Sequence, residues 1–266
     1  MIPKLIDTHA HINFKDFKGD GHKVIKKSLK EKVWIINSGS QYSTSKRAVK
    51  YAEKYKKGVY AVVGLHPFYV SSETFDEEKY RKLLESPKVV AIGEIGLDYK
   101  DDPDKEIKEK QKEVLVQQIE LAQQSGKPII FHCREAYNDL IELLEMFNMG
   151  CAHCPHSCMP NMQGTMHCFV GRWSQAEKLL DMGFYLSLNG IITYARDYDK
   201  VIKNTPLNRI LLETDSPLLS PEPYRNKRNE PVNVKLVAEK IAEIKNISFS
   251  EVAKQTTKNA RELFGI

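Results

Sequence analysis

Short apolar runs alternate with longer amphipathic runs along the whole chain, and this alternation constrains the fold more than any other feature. The short runs are rich in valine and isoleucine and apolar on both faces, which is typical of strands in a parallel sheet covered by helices. They lie at residues 4–7, 33–37, 59–64, 89–95, 128–132, 164–169, 184–188 and 209–213. Eight strand–helix units in about 250 residues fit a barrel. We predict an α/β protein with a single (β/α)8 TIM-barrel domain over residues 1–266.

Helical patterns fill the spaces between these runs. They lie at 21–32, 44–57, 76–86, 103–125, 135–147, 174–182 and 196–204, followed by 232–245 and 248–264. The alternative fold is an open, doubly wound sheet, which would need a glycine-rich phosphate loop after the first strand. The chain has Asp7-Thr8-His9-Ala10-His11 there instead, so the barrel is favoured.

Composition excludes several classes of protein. The 266 residues are 41% hydrophobic and carry a net charge of +5, which suits an anionic partner or plain solvation equally well. No run of 18 apolar residues and no signal-peptide pattern is present, so we expect a cytoplasmic protein without a membrane partner. The odd number of cysteines, five, does not fit a secreted disulfide framework.

Polar side chains that can bind metals follow most of the predicted strands. Barrel enzymes keep their chemistry at the carboxyl ends of the strands, so these side chains should meet on one rim. Five of the eight histidines fall at these ends, together with three carboxylates and an arginine: His9, His11, His66, Glu94, His132, Arg134, His167, Glu213 and Asp215. Alternation along a strand also predicts shared faces: Asp7 with His9 and His11, Ile92 with Glu94, Ile130 with His132, Thr165 with His167, and Leu211 with Glu213 and Asp215.

Each of these residues has a simpler explanation when taken alone. A single histidine is more often a buried, hydrogen-bonded core residue than a ligand, and Glu94 or Asp215 could cap a following helix. Together, however, six ionisable groups would converge on one barrel mouth, at a desolvation cost of several kcal/mol each, on the order of the penalty for a buried ion. Divalent metal ions would remove that cost. The set therefore predicts a metal centre.

Seven motifs resemble the TatD family of metal-dependent deoxyribonucleases within the amidohydrolase superfamily. They occur in the family's order from Asp7 to the end of the chain: Asp-x-His-x-His at 7–11, Gly-Leu-His-Pro at 64–67, Gly-Glu-Ile-Gly-Leu-Asp-Tyr at 93–99, His-Cys-Arg at 132–134, His-Cys-Phe at 167–169, Glu-Thr-Asp-Ser-Pro at 213–217 and Arg-Asn-Glu-Pro at 228–231. The resemblance implies a TIM barrel with two divalent metal ions. It is more specific for the family than for the substrate.

The resemblance also implies roles for particular residues. His9, His11 and Asp215 would bind one ion, His132 and His167 the other, and Glu94 would bridge them. Mixed imidazole and carboxylate ligands suit Zn²⁺, Mn²⁺ or Mg²⁺. The expected catalytic residues are Asp215, which could also accept a proton from the attacking water, Glu94 and, in a supporting role, Glu213. His66, Arg134 and Arg228 are expected to bind substrate phosphate.

The predicted function is a DNase that uses a dimetal-activated water as a 3′–5′ exonuclease on single-stranded DNA ends. Phe68, Tyr69 and Tyr99 follow strand ends, where a ring could stack on an unpaired base or simply pack. One alternative is an ester hydrolase such as a D-aminoacyl-tRNA deacylase, which would make tRNA esters the substrate. Another is an inactive nucleic-acid-binding barrel, which the complete ligand set argues against. We expect a monomer.

A Cys/His-rich insert at about 149–163 departs from the family pattern. Cys151, Cys154 and Cys158 are interleaved with His153 and His156, enough soft donors for a structural metal ion. A reduced cysteine-rich loop is the alternative. A connection from a helix to the next strand lies on the amino-terminal face of a barrel, so the insert should not touch the catalytic metals.

Overall fold

Eight parallel strands form one sheet in the order β1 to β8, and each pairs with the next strand in the chain. The computed structural model describes residues 2–149 and 162–266. The strands are β1 (Leu5–Ala10), β2 (Val33–Ser38), β3 (Val59–Val63), β4 (Val89–Asp98), β5 (Ile129–Arg134), β6 (Gly164–Met166), β7 (Tyr185–Leu188) and β8 (Ile210–Leu212). The predicted TIM barrel is confirmed, with all eight strands near their predicted positions.

Helices follow the strands and cover the outside of the barrel. They are α1 (Gly21–Lys30), α2 (Tyr42–Glu53), α3 (Glu77–Leu84), α4 (Lys105–Ser125), α5 (Tyr137–Met149), α6 (Trp173–Asp181), α7 (Asp199–Asn204), α8 (Val234–Lys245) and α9 (Phe249–Phe264). The last helix shows why helix boundaries can be predicted from the sequence. Ser248 and Glu251 form a capping box at its start, and Gly265 ends it in the left-handed conformation.

Apolar clusters lie on both sides of the sheet. Side chains from the strands fill the barrel interior, among them Ile36, Val62 and Ile130, and Leu263 and Phe264 of α9 belong to the same cluster. The end of the last helix thus packs against the interior. A larger cluster lies between the strands and the surrounding helices. Because both faces of the strands are buried, most strand residues before the carboxyl ends are apolar.

The first and last strands meet through side-chain and loop contacts. The backbone N–H of Asp215 donates to the carbonyl of His9 at 2.9 Å. Asp7 accepts hydrogen bonds from Thr214, from its backbone N–H at 2.8 Å and its hydroxyl at 2.6 Å. These bonds bring the residues that follow β8 beside the histidines that follow β1.

Two register shifts change which residues share a face. The pairing of β4 with β5 shifts between Gly93 and Ile95. Ile92 therefore packs in the outer cluster, whereas Glu94 faces the histidines on the inside. The prediction that Ile92 and Glu94 share a face is wrong. On β5 and β8 the strict alternation holds, because Ile130 and Leu211 belong to the interior cluster.

A similar shift in β1 separates Asp7 from the two histidines. The pairing of β1 with β2 is irregular between Asp7 and Ala10. The carboxylate of Asp7 binds Thr214 and the backbone N–H of His9, and it is not part of any candidate metal-binding group. The predicted common face for Asp7, His9 and His11 is therefore also wrong.

The Cys/His-rich insert lies outside the described residues at all of its predicted ligands: Cys151, His153, Cys154, His156 and Cys158. A structural metal there stays a prediction. In the two described ranges, no helix combines the length and apolar character that crossing a membrane would require.

Candidate metal centre

Imidazoles and carboxylates from six strands meet at the carboxyl end of the barrel. In each of four overlapping groups the ligand atoms lie within 4.8 Å of one another, and two of these groups contain residues from three strand ends. The predicted ligands His9, His11, Glu94, His132, His167 and Asp215 all belong to these groups, as do His66 and Glu213. Most of these side chains are buried, including Glu94 and Asp215, which are 4% and 7% exposed.

The two carboxylate oxygens of Glu94 face two different sets of histidines. Oε2 lies 3.3 Å from Nε2 of His9 and 3.7 Å from Nε2 of His11. Oε1 lies 2.8 Å from Nδ1 of His132 and 3.5 Å from Nε2 of His167. A carboxylate with one oxygen directed at each set has the geometry of a bridging ligand.

The first set is completed by Asp215. Its Oδ1 lies 3.3 Å from Nε2 of His11 and 3.8 Å from Nε2 of His9. The two Nε2 atoms are themselves only 3.0 Å apart. Two imidazole nitrogens this close, with a carboxylate oxygen from Glu94 and one from Asp215 beside them, form a donor set that suits a divalent cation.

Each of the four histidines predicted as metal ligands has its outer ring nitrogen next to an oxygen that can accept a hydrogen bond. For His9 this oxygen is Ser38 Oγ, 3.3 Å from Nδ1. Nδ1 of His11 lies 3.0 Å from the carbonyl oxygen of Ser38. Nε2 of His132 lies 2.9 Å from Oδ2 of Asp98. Nδ1 of His167 lies 2.9 Å from Oε1 of Glu213. When the outer nitrogen carries the proton, the inner nitrogen keeps a lone pair for a metal, as in carboxylate–histidine–metal arrangements.

His66 has the opposite arrangement. Its Nδ1 accepts a hydrogen bond from the backbone N–H of Phe68 at 3.0 Å, so the proton of the neutral ring belongs on Nε2. Nε2 lies 3.3 Å from Oε1 of Glu94 and can donate to it. Burial, followed by the nearby His132, lowers the pKa of His66, which favours this neutral form. His66 therefore presents a hydrogen-bond donor to the centre and not a lone pair.

Asp98 is a candidate functional residue that the sequence prediction missed. It lies on β4 four residues after Glu94, and its carboxylate binds the outer nitrogen of His132. Gly96 lies between them, where a Cβ would collide with the backbone oxygen of His132. Glu94, Gly96 and Asp98 share one face of the strand by alternation, and this spacing was the available signal.

Glu213 supports His167 from behind the centre. It is 1% exposed, accepts hydrogen bonds from the backbone of Cys168 at 2.8 Å and from the side chain of Asn189 at 3.1 Å, and does not line the cavity. Its contact with His167 is an ion pair without good hydrogen-bond geometry, since Nδ1 of that ring lacks a hydrogen bond among the described residues. The predicted supporting role is consistent with this position.

The carboxylates control the charge of the histidines. Burial lowers the pKa of His167, but Glu213 and Glu94 outweigh burial and raise it to about 10. For His11, burial is opposed by the hydrogen bond and charge of Asp215, which raise its pKa overall. Burial would raise the pKa of Glu94, but His66, His167 and His9 lower it well below the ordinary value. The centre holds negative charge that protons or metal ions must balance.

An open cavity of about 480 Å³ leads to this centre. Glu94, Asp98 and Asp215 contribute to its wall, and Arg134 lies at its edge with an exposed side chain. A larger groove of about 800 Å³ lies between the start of β1 and α9, but no candidate metal-binding group lines it. The chemistry therefore selects the smaller cavity.

Arg228, which the sequence predicts to bind substrate, does not line the cavity. Its guanidinium donates to both carboxylate oxygens of Asp20, at 3.0 and 2.6 Å, and to the carbonyl of Asp16 at 2.8 Å. It also lies over the ring of Phe17, 4.5 Å from the centroid. These contacts engage the guanidinium on the outside of the barrel, where Arg228 joins the loop after β8 to the segment before α1.

Comparison with known proteins identifies relatives over the full length of the chain. The family model of TatD related DNases matches residues 6–265. An uncharacterized metal-dependent hydrolase of Bacillus subtilis, YabD, is 41% identical over 266 residues, which cover 98% of this chain and 99% of the relative. The crystal structure of YJJV, a TatD homologue from Escherichia coli, superposes with a TM-score of 0.88 at 30% identity and full coverage of both chains. A TatD family hydrolase from Entamoeba histolytica gives a TM-score of 0.85 at 25% identity and 99% coverage of both chains.

Proposed function

The chain belongs to the TatD family of metal-dependent hydrolases, and we propose that it is a deoxyribonuclease that removes nucleotides from single-stranded DNA, working from the 3′ end. The observation that carries this proposal is the open cavity whose floor is the imidazole–carboxylate centre and whose edge is Arg134. Cationic and metal-binding groups at the end of a cavity suit a phosphodiester, which is anionic at every position along a strand.

Two divalent ions would be held in the centre by the predicted ligands. His9, His11 and Asp215 would hold one, His132 and His167 the other, and Glu94 both. The opposite orientation of the two Glu94 oxygens supports this division. When bound, such a pair of ions activates water and stabilises the charge that develops on the phosphoryl oxygens. Zn²⁺ and Mn²⁺ suit four histidine ligands better than Mg²⁺ does.

Three side chains of the cavity would act on the substrate. Asp215 lines the cavity and can accept the proton that the attacking water loses. His66 can donate from Nε2 to a phosphoryl oxygen, since its Nδ1 is occupied by the Phe68 N–H. Within the described residues, Arg134 forms no ion pair, so its guanidinium is free for a bidentate contact with phosphate.

The proposal is tested by incubating metal-reconstituted protein with end-labelled single-stranded DNA, closed circular single-stranded DNA, RNA and aminoacyl-tRNA. We expect shortening from the 3′ end in the presence of Zn²⁺, Mn²⁺ or Mg²⁺, and none with a chelator. Closed circles should stay intact, because an exonuclease needs an end. Cleavage of circles at the same rate would contradict the exonuclease, and deacylation without DNA cleavage would make a tRNA ester the substrate.

Glu94→Ala is the control variant that we expect to be inactive. Because Glu94 is the only predicted ligand shared by both ions, its removal should lower the metal content from two ions toward none and abolish cleavage. Elemental analysis of both proteins after reconstitution and desalting gives the stoichiometry. Wild-type protein that retains no stoichiometric metal would contradict the metal centre itself.

A further inference from the structure

Two of the most exposed apolar side chains lie at the mouth of the candidate site. Five large hydrophobic side chains are exposed in the described ranges: Ile2, Phe68, Met146, Leu218 and Tyr224. Of these, only Phe68 and Leu218 line the cavity above the metal centre, and they are 71% and 53% exposed. Exposing a phenyl ring and an isobutyl group to water costs hydrophobic free energy, so their place at the mouth requires an explanation.

The backbone N–H groups of both residues donate hydrogen bonds to residues of the centre. The N–H of Phe68 donates to Nδ1 of His66, and that imidazole reaches Glu94 with its other nitrogen. The N–H of Leu218 donates to the carbonyl of Asp215 at 2.8 Å. Phe68 and Leu218 are therefore only two and three residues from groups in the centre, at a distance fixed by short hydrogen-bonded turns.

Of the two other aromatic residues predicted to stack or pack, Tyr99 is engaged elsewhere and Tyr69 lines the cavity beside Phe68. Tyr99 donates its hydroxyl to Asp139 at 2.9 Å and does not line the cavity. Tyr69 is half-buried and packs edge-to-face against Phe68, with 5.2 Å between the ring centroids. Phe68 consequently has one edge supported by protein and its remaining surface open to the cavity mouth.

The cavity therefore joins two different kinds of surface. Its floor would bind anions once metal ions occupy the centre. Its mouth offers Phe68 and Leu218 from the loops after β3 and β8, and Val170 and Ile191 lie along the wall. A ligand that matches both must carry a flat apolar group beside an anionic one. A nucleotide has this arrangement, because its base stacks on apolar surfaces while its phosphate does not.

We propose that Phe68 and Leu218 form a base-stacking rim that binds the unpaired nucleobase next to the phosphodiester being cut. The inference rests on the proposed deoxyribonuclease function and deepens it. A base inside a duplex has both faces covered by its neighbours, so the rim selects frayed or single-stranded ends. Stacking uses the face that all bases share, so the rim discriminates little between sequences.

The test compares two oligonucleotides that differ only at the terminal position. One carries a terminal base and the other a tetrahydrofuran abasic residue with the same phosphodiester. Wild-type protein should cleave the first with a kcat/KM about tenfold higher, since base–aromatic stacking contributes about 1–3 kcal/mol. In Phe68→Ala, kcat/KM should fall only for the base-bearing oligonucleotide, so the preference should be lost. Phe68→Trp should keep the preference. Leu218→Ala should reduce the preference.

Tyr224→Ala is the control, because Tyr224 is an exposed aromatic residue that lines a different groove. It should behave as wild type. A terminal 2-aminopurine reports stacking directly: its fluorescence should be quenched on binding to the wild type and less quenched on binding to Phe68→Ala. Equal cleavage of the two oligonucleotides by wild type, or an equal loss on both in Phe68→Ala, would overturn the rim.

The failure of the proposed function would look different. If wild-type protein cleaved no DNA with any metal, the same oligonucleotides would be compared by fluorescence anisotropy on the metal-loaded protein. Tighter binding of the base-bearing strand that Phe68→Ala abolishes would support the rim even then. Identical binding of both strands would overturn the rim together with the nuclease.

Discussion

Asp98 Oδ2 lies 2.9 Å from Nε2 of His132, on the side of the ring opposite the nitrogen that faces Glu94. The carboxylate thereby fixes both the orientation and the tautomer of the imidazole. Asp98 makes this contact with His132 although Asp98 itself would not touch the metal.

Asp98→Asn should therefore weaken metal binding without removing a ligand. An amide can still accept or donate one hydrogen bond, but it no longer favours the tautomer with a free Nδ1 lone pair. We expect the affinity for one of the two ions to fall about 10- to 100-fold, the usual effect of losing such a partner. Competition with a chromophoric chelator measures it. Asp102→Asn, which alters an exposed carboxylate paired with Lys108, is the control. Unchanged affinity in Asp98→Asn would contradict the positioning role.

His66→Ala should separate metal binding from turnover. Since Nδ1 of His66 is occupied by the Phe68 N–H, the ring is a donor to substrate, and its loss should leave both ions in place. We expect kcat to fall about 10- to 100-fold, the range for a hydrogen bond to a charged group. Steady-state kinetics together with elemental analysis checks this. Loss of an ion in the variant would show instead that His66 is a ligand.

The two predicted phosphate-binding arginines should now behave differently. Arg134→Ala should raise KM for DNA about tenfold or more, as expected when a charged hydrogen bond is lost. Arg228→Ala should leave KM unchanged and lower the free energy of unfolding by about 0.5–1 kcal/mol, because its partly exposed pair with Asp20 is screened by water. Kinetics and urea titration distinguish the two. A raised KM in the Arg228 variant would return that residue to the binding site.

Metal affinity should rise with pH. Carboxylates raise the pKa of His11 and His132, and that of His167 to about 10, so in the metal-free protein His167 holds a proton at neutral pH and the other two rings keep theirs to a higher pH than an ordinary imidazole does. A protonated imidazole has no lone pair, so each proton must leave before an ion binds, and each displaced proton makes affinity rise about tenfold per pH unit. The part of this increase in metal affinity that comes from deprotonation of His167 should end near pH 10.

Calorimetry of Zn²⁺ or Mn²⁺ binding in buffers of different ionisation enthalpy counts the released protons. His22→Ala is the control, because His22 lies on α1, bonded to Tyr55, and away from the centre. It should release as many protons as the wild type. Affinity that stays constant between about pH 6 and about pH 8 would contradict the charge balance proposed for the centre.

Sequence patterns predicted the barrel and the residues at its rim because both follow from local periodicity. Val and Ile runs reveal the strands, and histidines at the ends of those runs reveal the rim. Strict alternation failed at Asp7 and Ile92, because each strand contains a register shift that moves following residues to the other face. A register shift depends on how two strands pair, and the sequence of one strand does not report it.

The roles of individual polar residues depended on partners that are distant in sequence. The sequence predicts that Arg228 binds phosphate, because its bidentate pair with Asp20, 208 positions away, follows only from the folded structure. The sequence predicts no role for Asp98, because its contact with His132 depends on the folded structure. The sequence predicts that His66 binds substrate. The hydrogen bond from the Phe68 N–H explains why His66 is not a metal ligand, although it lies near Glu94.

The bonds between Asp7 and Thr214 connect residues that are 207 positions apart, and the candidate site spans the same junction. His9 and His11 lie at the end of β1, the first strand of the barrel to be synthesised, whereas Asp215 follows the last strand, β8. A chain interrupted before β8 has both histidines but neither Asp215 nor the Thr214 that holds Asp7. Unfinished chains therefore lack the complete candidate centre, which can form only when all eight strands are present.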